Sequence, residues 1–394
     1  MPRRTRFNLP TALGTEELLV AELAELGIEG RSSGKGSVSF LGDLSDGYRA
    51  CLWSRIASRV LMELGHFPVN SADDLYRGVS RIRWRDHLSF DSSLAVSFTG
   101  RSPGINNSQF GARRTKDAIV DQLRTAKGQR PSVNLKDPDV RINVHLRDGK
   151  ATVCVDLSGD ALHLRGTRIN GGKAPLKETL AAALLRLAGW PEISRSGGIL
   201  VDPMCGSGTL LLEAASYALD TAPGLQRNRW GFDRWRGHSA TLWADLLKEA
   251  GARSAAQNQA SPVLFGSDID RRQIQACLDN ADRAGMSQLV RIQRCDLALR
   301  DAPASPMPGL VITNPPYGAR MGDREELGPL YRSLGDTLRQ RFLGWTAYIL
   351  VEKGPLIGKI GLRPARRHIL FNGPIECRLL EIPISPQPVQ RLKG

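Results

Sequence analysis

The residues best suited to chemistry form the string Asn314-Pro315-Pro316-Tyr317. An amine on an aromatic ring is a poor nucleophile because its lone pair is delocalised, so an enzyme must hold both N–H bonds to aim that lone pair. The side-chain oxygen of Asn314 and the carbonyl of Pro315 can accept these hydrogens, and proline restricts the backbone that presents the carbonyl. Tyr317 offers a face for a nucleobase to stack on. These four residues are predicted to be catalytic in amine methylation, without choosing among adenine, cytosine and guanine; the alternative is a rigid turn.

A short loop with two glycines follows a predicted strand and precedes an apolar helix. Glycine lets the backbone turn sharply at the end of a strand and approach a ligand with no Cβ atom in the way. The dinucleotide-binding pattern needs a small residue where Leu211 stands, and the phosphate-loop pattern needs a Gly-Lys-Ser/Thr string that this loop lacks. The loop therefore predicts another kind of cofactor site, formed by Asp202, Pro203, Cys205, Gly206, Gly208 and Thr209.

Acidic residues follow the next two predicted strands, where they could bind a nucleoside. Asp268, followed by Ile269, is placed to accept hydrogen bonds from two ribose hydroxyls, and Asp270 is interpreted as the cap of the next helix. Asp296 could accept a hydrogen bond from the exocyclic amine of adenine, and a helix cap explains this residue equally well. Together with the glycine loop, these acids predict S-adenosylmethionine as the cofactor, because Asp202 is compatible with its cationic sulfonium.

The second half of the sequence alternates short apolar runs with helical patterns, which is typical of a parallel sheet with crossover helices. Runs rich in Val, Ile and Leu predict strands at 199–202, 263–266, 289–292, 310–313 and 345–351. Two further strands around a turn at 372–374 predict an antiparallel hairpin, at 368–371 and 377–382. The predicted fold class is α/β, with a Rossmann-like, mostly parallel seven-stranded sheet that contains one antiparallel strand.

The first half predicts smaller α+β modules. The predicted strands lie at 6–9, 94–98, 141–146 and 151–156, and 34–40 is predicted to be a turn followed by a strand. The predicted helices begin near residue 15 and span 44–59 and 108–127. We expect one unit at 1–65, a second at 66–160 and the parallel-sheet domain at 161–394. Basic residues outnumber acidic ones between 101 and 136, which indicates either a solvated helix face or a surface that contacts phosphates.

Basic residues also exceed acidic ones over the whole chain, 54 against 40, which gives a formal charge of +14 and favours a polyanionic partner. With 41% hydrophobic and 24% charged residues, the composition is that of a folded globular protein. There is no run of about 18 apolar residues and no apolar segment after the basic start, which predicts a cytoplasmic protein with no membrane partner. The six cysteines are far apart, so no metal site or disulfide framework is predicted.

Four strings of the sequence carry a family pattern, at 157–166, 174–184, 202–209 and 314–318. Together they resemble the THUMP-domain RNA methyltransferases, and most closely the bacterial members that methylate guanine N2 in large-subunit (23S) rRNA. The resemblance covers nearly the whole chain. It implies an N-terminal ferredoxin-like and THUMP region that binds RNA, followed by a class I methyltransferase domain that uses S-adenosylmethionine.

The resemblance also assigns roles to residues. The loop at 202–209 would contact the methionine side of the cofactor, Asp268 its ribose and Asp296 its adenine, while 314–317 would hold the target base. The segment 174–178 would begin a helix that closes over the cofactor, with Leu176 and Lys177 as contacts. The implied partner is RNA, either 23S rRNA or a pre-ribosomal particle, and the protein is expected to be a monomer or weak dimer. Full-length relatives resemble two fused methyltransferases and this chain resembles the first, so a second activity is not expected.

Several alternatives stay open at the level of sequence. Other functions are a tRNA guanine-N2 methyltransferase, an adenine-N6 DNA methyltransferase and a non-catalytic RNA-binding assembly factor. The segment 227–236 interleaves arginine with aromatic residues, which predicts either a lid over RNA or a packed insertion. Basic residues between 359 and 367 would extend an RNA track, and His163 and His368 are interpreted as packing or surface residues.

Overall fold

The computed structural model of the protein describes residues 4–102, 104–166, 176–256, 263–304, 308–317 and 324–385. The chain divides into two compact units. The first comprises Met1–Thr11, Leu19–Leu162 and Gly224–Glu249, and the second comprises Ala12–Leu18, His163–Pro223 and Ala250–Gly394. Part of the predicted 161–394 domain, residues 224–249, therefore lies in the first unit.

The first unit contains one eight-stranded sheet. Its strands are β1 (Thr5–Pro10), β2 (Gly30–Gly34), β3 (Ser37–Gly42), β4 (Leu61–Pro68), β5 (Ser93–Gly100), β6 (Ser132–Val133), β7 (Val140–Arg147) and β8 (Lys150–Asp156). Their order is β2-β3-β1-β4-β8-β7-β5-β6. The β5 strand pairs in parallel with β6 and β7, and the remaining pairs are antiparallel. This unit has the α+β character expected from the sequence.

Strand β4 joins the two parts of this sheet and was not predicted. It pairs with β1 on one side and with β8 on the other, with a bulge between Glu63 and Gly65. The glycine and a proline at the end of the strand weaken its sequence pattern, and pairing on both sides compensates for this. The predicted boundary between residues 65 and 66 falls within β4.

The early helices are α1 (Glu16–Glu25), α2 (Leu44–Trp53), α3 (Ala72–Ser80) and α4 (Ser108–Leu123). The α2 helix starts at a capping box in which Asp43 and Asp46 each accept a hydrogen bond from the other's backbone N–H. It was predicted to continue to residue 59. It ends at Trp53 because the buried Glu22 carboxylate accepts hydrogen bonds from the Ser54 hydroxyl (2.7 Å) and the Arg55 backbone N–H (2.9 Å).

The segment 224–249 packs within the first unit and does not form an open aromatic face. Trp230, Phe232 and Trp235 are all less than a tenth exposed. The Arg229 guanidinium forms an ion pair with Asp137, and Arg234 bonds to the same carboxylate at 2.8 Å. Of the two interpretations of 227–236, the packed insertion is the one that the structure supports.

The second unit contains a seven-stranded sheet. Its strands are β9 (Ile199–Asp202), β10 (Val263–Asp268), β11 (Val290–Arg294), β12 (Leu310–Thr313), β13 (Thr346–Glu352), β14 (Arg366–Asn372) and β15 (Ile375–Pro383). Their order is β11-β10-β9-β12-β13-β15-β14. The first five pair in parallel, and β15 runs antiparallel to both of its neighbours. The predicted Rossmann-like sheet with one antiparallel strand is confirmed.

The remaining helices are α5 (Glu178–Leu187), α6 (Trp190–Arg195), α7 (Thr209–Ala218), α8 (Ala240–Ala256), α9 (Arg271–Arg283), α10 (Arg324–Arg341) and α11 (Leu356–Lys359). The α8 helix begins in the first unit and ends in the second. Within the described ranges, no helix has both the length and the apolar character needed to cross a bilayer.

Both faces of the central strands are covered, which explains their continuous apolar runs. Leu200, Leu264 and Ile312 belong to one buried cluster, whereas their neighbours Val201 and Val311 belong to another. Side chains alternate between the faces of a strand. Asp202 and Asn314 lie two residues after Leu200 and Ile312, and Asp268 lies four residues after Leu264. All three therefore continue the same face of the sheet.

Candidate active site

The carboxyl ends of β9, β10, β11 and β12 lie at one edge of the sheet, because these strands are parallel neighbours. From β9 the chain passes outward to β10 and β11 on one side, whereas β12 and β13 lie on the other. Ligands of open α/β sheets bind outside the carboxyl ends at such a switch point. The loop at 202–209, Asp268, Asp296 and the string at 314–317 all follow these strand ends, so the fold brings the predicted residues to one edge.

The glycine loop has a backbone that only glycine adopts without strain. Gly206 and Gly208 have φ values of +53° and +87°. The Gly208 backbone N–H donates to the Cys205 carbonyl at 2.9 Å, closing the turn. A Cβ atom at Gly208 would lie 2.4 Å from Cys277 Sγ, which a real contact does not permit. Thr209 then begins α7, so this turn brings the N-terminal end of the helix to the carboxyl edge.

Asp268 connects the glycine loop to the end of β10. Its Oδ2 accepts a hydrogen bond from the Gly206 backbone N–H (3.0 Å), and its Oδ1 accepts one from the Asp270 backbone N–H (2.9 Å). Each carboxylate oxygen has a second lone pair, so these bonds fix the carboxylate and still allow it to accept from a ligand. The adjacent Ile269 side chain is 62% exposed and could cover one face of a bound base.

Two other acidic residues form caps. Asp270 accepts from the Arg272 backbone N–H at 2.8 Å and caps α9, as predicted. Asp296 Oδ1 accepts from the Ala298 backbone N–H at 2.9 Å and caps the short 3₁₀ turn Leu297–Leu299. The cap explanation of Asp296 is therefore observed, and its contact with adenine stays a prediction.

Asp202 is a buried carboxylate at the switch point. It is 2% exposed, and its Oδ1 accepts a hydrogen bond from the Met204 backbone N–H at 3.2 Å. Burial raises the pKa of the Asp202 carboxyl to about 7, since desolvation disfavours the charged form. A cationic ligand beside this side chain would favour its ionised form.

The string at 314–317 leaves β12 at the same edge and is held from two directions. The Tyr331 hydroxyl of α10 donates to the Pro316 carbonyl at 3.2 Å. The Asn372 side-chain amide donates to the Tyr317 hydroxyl at 2.9 Å, and burial raises the pKa of that hydroxyl. Asn314 Oδ1 differs, because it is buried and has no hydrogen-bond partner in the part of the chain that the structure describes.

Tyr331 and Asn372 were not identified from the sequence. Tyr331 lies at a core position of α10, and Asn372 was interpreted only as a turn residue. Both are far from residue 317 along the chain, and no local pattern connects them to it. Their role in holding the string becomes visible only when α10 and the β14–β15 hairpin are packed around it.

The segment before α5 is described only in part. Leu176 is buried in the same cluster as Leu180 and Leu210, and Lys177 is exposed at the residue before the helix. Residues 174 and 175 lie outside the described ranges. The contact of Leu176 and Lys177 with a cofactor stays a prediction, and the structure assigns Leu176 a packing contact as well.

The predicted basic helix is α4, in the first unit. Part of its charge is neutralised within the protein, because Arg114 bonds to the Asp73 carboxylate at 2.6 Å and Lys116 pairs with Asp117. The Arg114 guanidinium also lies 4.4 Å from the centre of the Tyr76 ring. A phosphate-contacting face on α4 stays a prediction, and Arg113 is the better candidate among the neighbouring cations because no such pair engages it among the described residues.

Three family models match the chain in succession. The RlmL ferredoxin-like domain matches residues 6–61, the THUMP domain matches residues 69–156, and the RMKL-like methyltransferase domain (UPF0020) matches residues 165–381. The last match alone covers more than half of the chain. The order of the three domains agrees with the order expected from the sequence.

Similar proteins cover nearly all of the chain. A protein of Methylococcus capsulatus named ribosomal RNA large subunit methyltransferase K/L is 47% identical over 387 residues, which is 98% of this chain and 52% of that relative, so the chain spans about half of the relative's length. The crystal structure of SMU.472 in complex with SAH superposes with a TM-score of 0.86 at 27% identity, covering 99% of this chain and 100% of that one. A predicted N6-adenine-specific DNA methylase from Listeria monocytogenes gives a TM-score of 0.84 at 29% identity, with 96% of each chain covered.

Proposed function

The chain belongs to the RMKL-like methyltransferase family, and we propose that it transfers a methyl group from S-adenosylmethionine to N2 of a guanine in large-subunit (23S) rRNA. The family and the Rossmann-like methyltransferase fold are those expected from the sequence. The name of the relative from Methylococcus capsulatus supports ribosomal RNA as the acceptor. An acceptor of this kind would place the reaction in the cytoplasm.

The residues at the carboxyl edge fit S-adenosylmethionine. The space above Gly206 is open, since Gln273 Oε1, at 3.8 Å, is the one atom of the described residues within 4 Å of a Cβ atom placed there. The fixed carboxylate of Asp268 can accept from ribose hydroxyls, and Asp202 can face a cation. The SAH complex of SMU.472 supports this assignment, because SAH is the demethylated cofactor. When bound, the cofactor would supply an electrophilic methyl group on a sulfonium.

The observation that carries the proposal is the orphan acceptor of Asn314. A buried polar atom without a partner costs on the order of 1–3 kcal/mol, so a site that keeps one is expected to receive a donor from a ligand. An exocyclic amine has two N–H donors, which Asn314 Oδ1 and the Pro315 carbonyl would accept together. Holding both hydrogens turns the nitrogen lone pair out of conjugation with the ring and directs it towards the methyl carbon.

The remaining groups of the string position the base and do not move protons. Tyr317 is fixed through its hydroxyl by Asn372, so its ring is held ready for stacking. Once N2 has gained a methyl group it is acidic enough to lose its proton to water, so a general base is not required. The proposed catalysis is therefore positioning at an edge where Asn314, Pro315 and Tyr317 converge.

Methyl transfer to three acceptors tests the proposal directly. Purified protein is incubated with labelled S-adenosylmethionine and naked 23S rRNA, isolated ribosomal particles or bulk tRNA, and the nucleosides are identified by mass spectrometry. N2-methylguanosine in rRNA is the expected product. The same nucleoside only in tRNA would support the tRNA alternative, and N6-methyladenine in added duplex DNA would support the activity named for the Listeria relative.

A variant separates catalysis from assembly. Asn314→Ala should lower the rate of methylation by about 100- to 1000-fold and leave cofactor binding intact. If deletion of the gene impairs ribosome assembly and the Asn314→Ala variant restores it fully, the chain acts as a non-catalytic assembly factor. Sedimentation of the purified protein would test the expected monomer or weak dimer in the same preparation.

A further inference from the structure

A cavity of about 320 Å³ lies in the second unit where β13 ends. Its lining includes Gly328 and Arg332 of α10, Glu352 and Lys353 at the end of β13, and Lys359 of α11. A volume of this size is at the lower end of the range for small-molecule sites. None of the residues predicted from the sequence to be catalytic or to bind the cofactor lines it.

One residue of the cavity lining, Glu352, can be placed relative to the string at 314–317 from the strand register. Strands β12 and β13 are parallel neighbours, with Thr313 paired to Ile349, so Asn314 is level with Leu350. Glu352 is two residues farther along, on the same face of the strand as Leu350. With a strand spacing of 4.8 Å and a rise of 3.3 Å per residue, the two Cα atoms are roughly 8 Å apart. The carboxylate of Glu352 and the amide of Asn314 can therefore reach adjacent atoms of one base.

Residues that neighbour Glu352 connect it to the same string. Its partner across the β13–β15 pair is Cys377, a buried residue whose thiol is close to the Tyr317 hydroxyl. Burial, and after it the Glu352 carboxylate, raises the pKa of the Tyr331 hydroxyl, and that hydroxyl donates to the Pro316 carbonyl. The Glu352 carboxylate is therefore close to side chains that contact the string at 314–317.

A carboxylate at this position distinguishes the bases by hydrogen bonding. In guanine, N2 is adjacent to N1–H, which is a donor. In adenine, the amine is adjacent to N1 without a hydrogen, which is an acceptor, and cytosine presents N3 in the same way. A carboxylate only accepts, so it attracts the guanine edge and repels the other two.

Resting on the proposed function, we infer that the cavity receives the edge of the flipped target base and that Glu352 accepts the hydrogen bond from guanine N1–H, selecting guanine as the acceptor. Asn314 and Pro315 then hold N2 while Glu352 fixes the edge beside it. The string at 314–317 can hold the amine of guanine, adenine or cytosine, whereas Glu352 favours guanine.

The charges around the cavity are suited to a nucleotide. Arg332 and Lys359 are exposed, and neither forms an ion pair with any residue in the described ranges. Lys353 is occupied, because its Nζ lies 3.1 Å from the Glu376 carboxylate. Arg332 and Lys359 are thus available to the phosphates that flank a flipped nucleotide.

Base substitution in the RNA, combined with a protein variant, tests the contact with N1. The acceptor guanine, once mapped, is replaced by 2-aminopurine, which keeps the N2 amine but has neither the hydrogen on N1 nor the O6 oxygen. We expect the wild-type protein to prefer guanine by roughly 10- to 100-fold in kcat/KM, since a correct edge contact is worth about 1–3 kcal/mol. In Glu352→Gln the amide can donate to N1 of 2-aminopurine, so the preference should fall by about tenfold or more. The comparison is between the guanine preference of the wild-type protein and that of the variant. Intrinsic differences in reactivity between the two bases affect both preferences equally and therefore cancel.

A structural role for Glu352 would give another pattern. If Glu352→Gln lowered kcat/KM for both bases by the same factor, the preference would be unchanged and the inference would be overturned. The matched control is Glu381→Gln on β15, a carboxylate that faces His368 and should leave the preference at its wild-type value. A wild-type protein that methylates no guanine at all would instead refute the proposed function, and this inference with it.

A binding measurement keeps the test independent of turnover and of folding defects. The fluorescence of 2-aminopurine increases when the base leaves the stack, so titration of the substituted RNA reports its capture. Tighter binding to Glu352→Gln than to the wild-type protein supports the inference. Equal binding to both, with equal thermal unfolding midpoints, contradicts it. Glu352→Asp keeps the charge and should keep the preference for guanine if the Gln variant does not fold.

Discussion

The two sides of the carboxyl edge in the second unit differ in how their polar groups are satisfied. On the side of β10 and β11, Asp268 and Asp296 already accept hydrogen bonds from backbone N–H groups. On the side of β12 and β13, Asn314 Oδ1 is buried without a partner among the described residues, and Glu352 at the end of β13 lines a cavity. In the proposed reaction, the side of β10 and β11 would be a cofactor side preorganised by the backbone, whereas the side of β12 and β13 would be an acceptor side completed by its substrate. Substitutions on the two sides are therefore expected to have different effects.

The largest effect is expected from Asn314→Ala. Removal of the amide oxygen leaves the amine held by one acceptor, and loss of one such contact typically lowers kcat by about 100- to 1000-fold. Single-turnover methylation measures the loss, and calorimetric binding of S-adenosylmethionine should change less than about twofold. If the variant also lost affinity for S-adenosylmethionine, Asn314 would contribute to cofactor binding, and the two sides would not act separately.

On the cofactor side, Gly208→Ala should destabilise the fold. The φ value of +87° strains any residue with a Cβ atom, and that atom would also collide with Cys277 Sγ. We expect a loss of about 3 kcal/mol in the free energy of unfolding by urea. The matched control is Gly285→Ala, which has φ +67° and no neighbouring atom within 4 Å, and should cost only about 1 kcal/mol. Equal losses of unfolding free energy in the two variants would mean that the collision with Cys277 Sγ is relieved at no cost.

The pH dependence of cofactor binding tests Asp202. Because burial raises its pKa to about 7, the ligand-free protein holds a proton there at pH 6 and releases it by pH 8. A sulfonium favours the ionised form, so affinity for S-adenosylmethionine should rise by about tenfold between pH 6 and pH 8. SAH lacks the positive charge on sulfur, so its affinity should depend less steeply on pH. In the Asp202→Asn variant, the affinities of the two ligands should depend on pH in the same way.

Without ligand, the contribution of Asp202 to the stability of the folded protein changes with pH in the opposite direction. A raised pKa means that the folded state binds the proton more tightly than the unfolded chain does. The contribution of Asp202 to stability is therefore present at acidic pH and is lost as pH rises towards 7. The difference in unfolding free energy between the wild-type protein and Asp202→Asn should follow this trend. A flat difference from pH 5 to pH 8 would contradict the raised pKa.

The smallest effect is expected from Asn372→Ala. It removes the donor to the Tyr317 hydroxyl, and a single such hydrogen bond contributes about 1 kcal/mol. The result should be a severalfold rise in KM for RNA with little change in kcat, because the ring still stacks but is held less firmly. Steady-state kinetics with the mapped rRNA fragment distinguishes this from a loss in kcat.

Much of the cofactor side could be predicted from the sequence because its signals are local. A strand, a turn that needs positive φ and an apolar helix follow each other within about a dozen residues at 199–210, and β9 has the predicted bounds. The cap at Asp270 was predicted for the same reason. At Asp296 two explanations were left open, because a carboxylate that caps a turn and one that binds adenine have the same sequence pattern.

The acceptor side was harder to predict because its parts are distant in the chain. The string at 314–317 indicated the chemistry, but Tyr331, Glu352 and Asn372 lie on a helix, a strand and a hairpin whose local patterns show only burial or a turn. The same limit applied to 227–236, where the sequence left a lid over RNA and a packed insertion both open, and packing in the first unit buries the aromatic residues. A pattern cannot show which surface a side chain will meet.

By itself, the sequence determined the seven-stranded sheet, the glycine loop and the string at 314–317, since each depends on periodicity, backbone preference or residue type within a short stretch. The tertiary structure alone decided that β4 joins both parts of the first sheet, that Asn314 keeps an unsatisfied acceptor among the described residues and that Glu352 lines a cavity at the end of β13. The physical reason is that hydrogen-bond satisfaction and cavities are properties of packed neighbours, and packing brings together residues that no local interaction connects.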